Sequence, residues 1–249
     1  MIDNPVMGLG EMGLYAADLA RVAPKPPRCG DRFWVAWSRT LSASLIPVIA
    51  VTGPFGMVTA LQGVKILRVF GTERLLSSVV GLAVLRELAP VLSSMMIAAQ
   101  SGSGAAAEIA TLKVTQQWDA LEVMSTPARK WVTLPRVAAI ALAAPILSIL
   151  GALAGILGGY FVEVVLMGFP RGIFFAQLTG FLSVWDVAGG LLKATVFGLI
   201  AGVFAGYHGE RATGGARGVG LATNRAVVSA VAAILIANYL LSSLLFGRS

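Results

Sequence analysis

Long apolar stretches, separated by short polar segments, dominate the pattern of this chain. A helix needs roughly 20 mostly apolar residues to cross a bilayer. Five stretches reach that length, at about residues 41–63, 78–100, 137–167, 187–207 and 226–246. The pattern therefore predicts an all-α, polytopic membrane protein with five transmembrane helices, in which residues 41–249 form a single domain.

The longest polar interruption covers residues 101–136, between the second and third predicted spans. Its central part has the composition and periodicity of an amphipathic helix over about 105–124. Val114, Trp118 and Leu121 share one face of this predicted helix. Two interpretations remain open: a helix that binds a partner, which Trp118 slightly favours, or a connecting helix that packs only on its own subunit.

The first 40 residues form a charged, proline-containing segment before the first span. Phe33, Trp34 and Trp37 alternate there with charged residues. Amphipathic aromatic side chains prefer the membrane interface. The segment is consequently predicted either to contain a short helix in that interface or to supply an aromatic belt at the start of the first span.

The distribution of lysine and arginine orients the predicted spans. Twelve of these residues lie in the N-terminal segment, in the loop 101–136 and in the loop between spans four and five, whereas five lie on the opposite side. Cytoplasmic loops carry the excess of Lys and Arg. The N-terminus and residues 101–136 are therefore predicted to be cytoplasmic, and the C-terminus to lie on the other side.

Composition narrows the class of function. The chain is 57% hydrophobic and 12% charged, with net charge +7 and few aromatic residues near the basic ones, which argues against nucleic-acid binding. A single cysteine, Cys29, and a single histidine, His208, predict no internal disulfide and no metal site. No G-x-x-x-x-G-K-[ST] motif occurs, so the chain is predicted to be neither an enzyme nor a nucleotide-binding subunit.

Three charged residues fall inside the predicted spans: Arg86 and Glu87 in the second, and Lys193 in the fourth. Charges in lipid are costly and usually face a cavity or a partner. These residues are expected either to line a path for a charged or amphipathic substrate, or to form a buried ion-pair network that fixes helix packing.

Small residues repeat every four positions in two of the spans. The third span carries Gly151, Gly155 and Gly159, and the fourth carries Gly190, Ala194, Gly198, Gly202 and Gly206. Such ladders allow close approach of helix backbones. They predict tight packing within one subunit, with a dimer seam as the alternative.

Four motifs together resemble those of a known family. They are LRELAPVL (85–92), GSGAAAEIATLKVTQQWDALEVM (102–124), LPR (134–136) and ARGVGLATNRAVVSA (216–230). The sequence resembles the MlaE/YrbE-type permeases of ABC lipid transporters associated with MCE proteins, from about residue 40 to the C-terminus. Gln100 departs from the family pattern, which usually has a basic residue there.

The resemblance implies a homodimeric permease in the bacterial inner membrane, with its C-terminus in the periplasm. Each subunit would have an N-terminal interfacial helix, five spans and a cytoplasmic coupling helix. Two cytoplasmic ATPase subunits would supply ATP and Mg²⁺ chemistry, and an MCE-domain protein would sit on the periplasmic side. The implied substrate is a phospholipid or related lipid.

The resemblance also implies roles for particular residues. Arg86, Glu87 and Lys193 would line the lipid cavity. The residues implied to couple the permease to the ATPase are Glu108, Thr111, Gln116, Gln117, Trp118, Asp119 and Leu121. Two other classes stay open: a proton-coupled secondary transporter that uses the three intramembrane charges as a relay, and a membrane scaffold that only anchors partners.

Overall fold

The computed structural model describes residues 5–22 and 30–247, which are almost entirely helical and contain no β-strand. The predicted all-α fold is confirmed for these residues. Cys29, together with Lys25, Arg28 and Arg248 from the charge count, lies outside the described residues.

Ten α-helices occur in the described part of the chain. They are α1 (Pro5–Val22), α2 (Gly30–Val69), α3 (Leu76–Ala83), α4 (Ala89–Ile97), α5 (Ser103–Val114), α6 (Gln117–Val123), α7 (Leu134–Tyr160), α8 (Arg171–Phe181), α9 (Val184–Glu210) and α10 (Gly215–Phe246). A 3₁₀ turn, Glu73–Leu75, precedes α3. Four π-helical turns, Val84–Leu88, Ala98–Gly102, Arg129–Thr133 and Phe161–Leu166, join or extend the α-helices.

Five continuous helical stretches are long and apolar enough to cross a membrane. They are Asp31–Val69, Glu73–Val114, Arg129–Leu166, Val184–Glu210 and Gly215–Phe246. Each corresponds to one of the five spans predicted from hydrophobicity. The prediction of a polytopic membrane protein with five spans is thus confirmed.

The polar stretch after the second span differs from its prediction. A single helix was expected over 105–124, but the structure has α5, which continues the second span, followed by the separate helix α6. The chain turns at Gln116, whose φ of 62° is left-handed and incompatible with a continuing helix. This turn brings Trp118 back against Ile109 of α5, and burial of the indole ring is the physical reason for the break.

The N-terminal region also differs from its prediction. Phe33, Trp34 and Trp37 lie in the first turns of α2, which continues without interruption into the first span, so no separate interfacial helix exists there. Their rings contact one another edge to face, with centroids 5.7 and 5.3 Å apart. The aromatic-belt interpretation fits this arrangement. The helix that does precede the first span is α1, which was not predicted.

The described residues form two compact units, each with its own core. The first unit contains 5–22, 30–41, 97–143 and 198–233, and the second contains 42–96, 144–197 and 234–247. In the first, Tyr15 and Leu19 of α1 pack with Val137, Val203 and Tyr207. The core of the second is built from Ala60, Val64, Leu76, Val80, Val84, Ala89, Ala152 and Val162.

The glycine ladder of α7 lies against neighbouring helices of the same chain. In the second unit, a Cβ at Gly56 of α2 would lie 2.7 Å from the carbonyl carbon of Gly155 and 2.8 Å from its Cα. A Cβ at Gly151 would lie 2.6 Å from the hydroxyl of Ser93. These contacts support packing within one subunit as the role of this ladder.

The glycines of α9 make similar close approaches. Within the second unit, a Cβ at Gly190 would lie 2.5 Å from the carbonyl oxygen of Leu85. Within the first unit, a Cβ at Gly206 would lie 2.6 Å from the side chain of Thr133. Because Gly190 approaches backbone, no side-chain rearrangement can make room for a larger residue there.

We predict opposite effects for two glycine-to-alanine substitutions. Gly56→Ala forces a methyl group against the backbone of Gly155 and should lower the free energy of unfolding by about 1–3 kcal/mol. Gly220→Ala fills open space on exposed α10 and should leave stability unchanged or raise it by about 0.5–1 kcal/mol. Denaturation in detergent measures both; equal stability of the two variants would contradict the close α2–α7 packing.

Candidate functional site

The charged residues of the second span lie in a π-helical turn, Val84–Leu88. Arg86 and Glu87 are sequence neighbours, yet both bind side chains of α9: Arg86 pairs with Asp186, and Glu87 pairs with Lys193. Asp186 and Lys193 are seven residues apart, which places them on one helical face, two turns from each other. Two ion pairs therefore lie side by side within the second unit.

The Lys193–Glu87 pair belongs to a saturated network. The Lys193 side chain is fully buried, and its Nζ donates to Glu87 Oε2 at 2.9 Å, to the Arg86 carbonyl at 2.8 Å and to the Ser242 hydroxyl at 2.8 Å. An ammonium group has three N–H donors. All three are used, so Lys193 is held as a structural cation.

The carboxylate of Glu87 connects this network to α10. Its oxygens accept from the Asn238 amide at 3.0 Å and from the Ser242 hydroxyl at 2.8 Å, in addition to Lys193. Three donors from two helices thus converge on one carboxylate. These hydrogen bonds hold the partly exposed carboxylate in one orientation.

The Arg86–Asp186 pair also has one buried partner, but here the buried partner is the acid and the partly exposed one is the base. Arg86 Nε and Nη2 lie 2.7 and 2.6 Å from Asp186 Oδ1. The Asp186 side chain is 3% exposed, whereas that of Arg86 is 32% exposed. The guanidinium also lies over the ring of Phe246, 4.6 Å from its centroid.

A cavity of about 360 Å³ opens beside this second pair. Its lining consists of Arg86, Ser183, Trp185, Asp186, Ala188, Gly189, Leu192, Leu245 and Phe246. Most of these groups are apolar, and the guanidinium of Arg86 is the cationic group at its wall. The cavity suits a ligand with an apolar body and a charged end. Of the three charges selected from the sequence, Arg86 lines this cavity, while Glu87 and Lys193 form the network behind it.

Two acidic residues that lie in the helices of the spans were not singled out from the sequence. Asp186 lies one residue before the predicted start of the fourth span, so it was not counted as intramembrane. Glu163 lies inside the predicted third span and is 2% exposed, and its Oε2 accepts from the Ser77 hydroxyl at 2.6 Å. An acidic residue in an otherwise apolar stretch was the signal that could have identified Glu163.

On the predicted cytoplasmic side, α6 is held by Trp118 and Leu121. Trp118 is buried in a cluster with Ile109, Ala128 and Val132, and Leu121 packs against that cluster. The indole N–H donates to Glu122 Oε1 at 2.9 Å. The ring of Trp118 therefore packs on its own subunit and positions α6, and its implied role in coupling to an ATPase stays a prediction.

Glu108 likewise makes contacts within the chain. Its carboxylate pairs with Arg39 of α2 and with Arg136 of α7, whose Nη2 lies 2.8 Å from Glu108 Oε2. Glu108 therefore ties together three helices of the first unit. By contrast, Thr111, Gln116, Gln117 and Asp119 are exposed, and Asp119 pairs with Lys113 at 2.7 Å across the turn between α5 and α6.

The end of α6 and the residue that follows it present two large apolar side chains. Val123 is 86% exposed and Met124 is 73% exposed. Both lie outside the five candidate spans. We call residues 123–124 the apolar tip. This exposed apolar pair beside polar side chains is a candidate protein-binding surface.

A second ionic cluster in the first unit holds α1. Glu210 Oε2 pairs with Arg129 Nη2 at 2.8 Å, and Glu210 Oε1 accepts from the Tyr15 hydroxyl at 2.6 Å. Arg129 also pairs with Asp18 of α1 at 2.8 Å. Burial, and then the charge of Glu210, raise the pKa of Tyr15, so this residue stays a neutral hydrogen-bond donor.

Comparisons with known proteins identify the family of this chain as a permease family. Residues 34–244 match the family described as Permease MlaE. A probable ABC transporter permease of Rickettsia typhi is 42% identical over 81% of this chain and 78% of its own length. The intermembrane phospholipid transport system permease protein MlaE of Haemophilus influenzae is 34% identical over 83% and 80%. The chloroplastic protein TRIGALACTOSYLDIACYLGLYCEROL 1 of Arabidopsis thaliana is 34% identical over 80% and 57%.

We predict that the effects of substituting Lys193 and Glu87 on the free energy of unfolding depend on each other. Glu87→Gln leaves a buried ammonium without its counter-ion and should lower the free energy of unfolding by about 1–3 kcal/mol. Adding Lys193→Met removes the stranded charge and should restore much of that loss. Denaturation in detergent of the single and double variants measures the coupling. Simple additivity of the two substitutions would show that the pair does not act as one network.

Proposed function

Because the chain belongs to the MlaE permease family, we propose that it is the membrane subunit of an ATP-driven transporter of phospholipids or closely related lipids. Its general class, an ABC transporter permease, follows from the family and from the relatives. The Haemophilus influenzae relative, whose name specifies phospholipid transport, supports the lipid substrate. The observation that carries the proposal is the mostly apolar cavity with the partly exposed guanidinium of Arg86 at its wall.

The cavity matches the two parts of a phospholipid. The phosphate of a head group is an anion, and a guanidinium is well suited to bind it through several N–H donors. Leu192, Leu245 and Phe246 provide apolar surface for the first carbons of the tails. Transport of such a substrate breaks no covalent bond, so the permease needs to bind and move the lipid but not to react with it.

The energy for this movement enters from another chain in our proposal. Because the sequence has no P-loop, ATP and Mg²⁺ would be bound by a separate cytoplasmic ATPase. We assign its docking surface to the apolar tip, surrounded by Gln116, Gln117 and Asp119. Protein interfaces commonly have an apolar centre and a polar rim. Trp118 and Leu121 would act indirectly, by holding α6 against its own subunit.

We further propose the assembly that the family resemblance implies. Two copies of the permease would form a homodimer in the inner membrane, with the apolar tip in the cytoplasm and the C-terminus in the periplasm. An MCE-domain protein on the periplasmic side would exchange lipid with the cavity. The excess of lysine and arginine on the side of the apolar tip supports this orientation.

The other classes receive less support. A proton relay through Lys193 would require an ammonium with a free N–H for a passing proton acceptor, but all three of its donors are bound, one of them by the Glu87 carboxylate. A pure scaffold would have no need for an arginine facing an apolar cavity.

We predict that the apolar tip is required for ATPase binding. Val123→Asp would place a charge in the apolar centre of the interface and should weaken co-purification of the ATPase at least about tenfold. ATP-dependent lipid transfer in vesicles should fall with it. Membrane insertion and thermal stability should stay close to wild type, because Val123 is exposed.

Val69→Asp is the matched control. Val69 is 82% exposed, but the charge distribution places it on the opposite side of the membrane. This variant should keep ATPase binding. If Val123→Asp binds the ATPase with unchanged affinity, or if both variants lose it equally, the assignment of the apolar tip is wrong.

A further inference from the structure

The Arg86–Asp186 ion pair has one fixed member and one that can exchange partners. Asp186 is fixed by the start of α9. Its Oδ2 accepts from the backbone N–H of Ser183 at 2.9 Å and from the Ser183 hydroxyl at 3.0 Å. The hydroxyl in turn accepts from the Asp186 N–H at 3.3 Å. This reciprocal arrangement is a capping box, which holds the carboxylate in place.

Arg86 is held less completely. A guanidinium has five N–H donors. Only Nε and Nη2 of Arg86 reach an acceptor among the described residues, and both reach the same oxygen, Asp186 Oδ1. The remaining donors and the partial exposure of the side chain make it available to an anion in the cavity. The neighbouring Lys193 has no such reserve, because its three donors are already used.

An anion that takes Arg86 leaves Asp186 without a counter-ion. A buried carboxylate without a partner is strongly unfavourable. A ligand that brings only a negative charge would therefore gain one ion pair and break another. A ligand that carries a cation near its anion would replace both partners, because its cation could bind the Oδ1 that Arg86 releases.

We propose that this cavity selects phospholipids with a zwitterionic, amine-bearing head group over purely anionic ones. This inference rests on the proposed lipid-transport function and specifies its substrate class. The phosphate binds Arg86, and the ammonium of the same head group binds Asp186. Leu192, Leu245 and the exposed ring of Trp185 accept the start of the tails. Asp186 is thus a specificity-determining residue, and its charge excludes anionic lipids.

The test uses the full permease purified with its partners and exchanged into vesicles with equal amounts of phosphatidylethanolamine and phosphatidylglycerol. Native mass spectrometry measures the ratio of the two lipids bound. We expect phosphatidylethanolamine to be enriched on the wild type. Asp186→Asn keeps the shape and the capping acceptor but removes the charge, and should lower this ratio at least about threefold, the size of a partly solvated ion pair.

Glu163→Gln is the control, since it removes another buried carboxylate of the second unit that does not line the cavity. This variant should keep the wild-type ratio. An unchanged ratio in Asp186→Asn, or an equal shift in both variants, overturns the selection by Asp186. Absence of both lipids from the wild type contradicts the proposed lipid function itself.

A second measurement needs no substitution and removes the cation from the ligand instead. N-acetyl-phosphatidylethanolamine keeps the phosphate and the tails but has no ammonium. The wild-type protein should bind it at least about threefold more weakly than phosphatidylethanolamine. Equal binding of the two lipids overturns the proposal even if Asp186→Asn fails to fold.

Discussion

The pairing of charges inside the membrane is the constraint on which this structure depends. Lys193 is fully buried in a span, and an unpaired ammonium there would be prohibitively costly. Glu87, the Arg86 carbonyl and Ser242 neutralise and saturate it, and in doing so they join the second, fourth and fifth spans. Because all the N–H donors of Lys193 are bound within this network, α9 stays attached to the second span even when Arg86 faces the cavity.

The π-helical turns explain how these polar groups are placed. Val84–Leu88 contains Arg86 and Glu87, and Phe161–Leu166 contains Glu163. A π turn adds a residue to the helical repeat and is common at functional sites. In Val84–Leu88 it accompanies two neighbouring side chains that both reach α9. Arg86, Glu87 and Glu163 therefore lie at local departures from α-helical geometry, whereas Asp186 and Lys193, the partners of Arg86 and Glu87, lie in the regular helix α9.

Hydrophobicity was sufficient to predict the five spans, because each must bury its backbone polar groups in a helix of bilayer length. Hydrophobicity could not predict the break at Gln116, because no glycine or proline marks the position. The turn depends on a tertiary contact, the packing of Trp118 against Ile109. Periodicity likewise identified the apolar face that contains Trp118, but not that its own subunit covers the ring. Asp186 was missed because its role depends on Arg86, 100 residues away.

In our proposal the two adjacent ion pairs have different roles: Lys193–Glu87 is permanent, and Arg86–Asp186 opens for substrate. Electron cryo-microscopy of the permease with its partners in a phospholipid bilayer tests this directly. We expect a lipid phosphate about 3 Å from the guanidinium of Arg86, with Lys193 still bound to Glu87. A lipid head group bound instead to Lys193, or an Arg86–Asp186 pair that stays closed beside bound lipid, would contradict it.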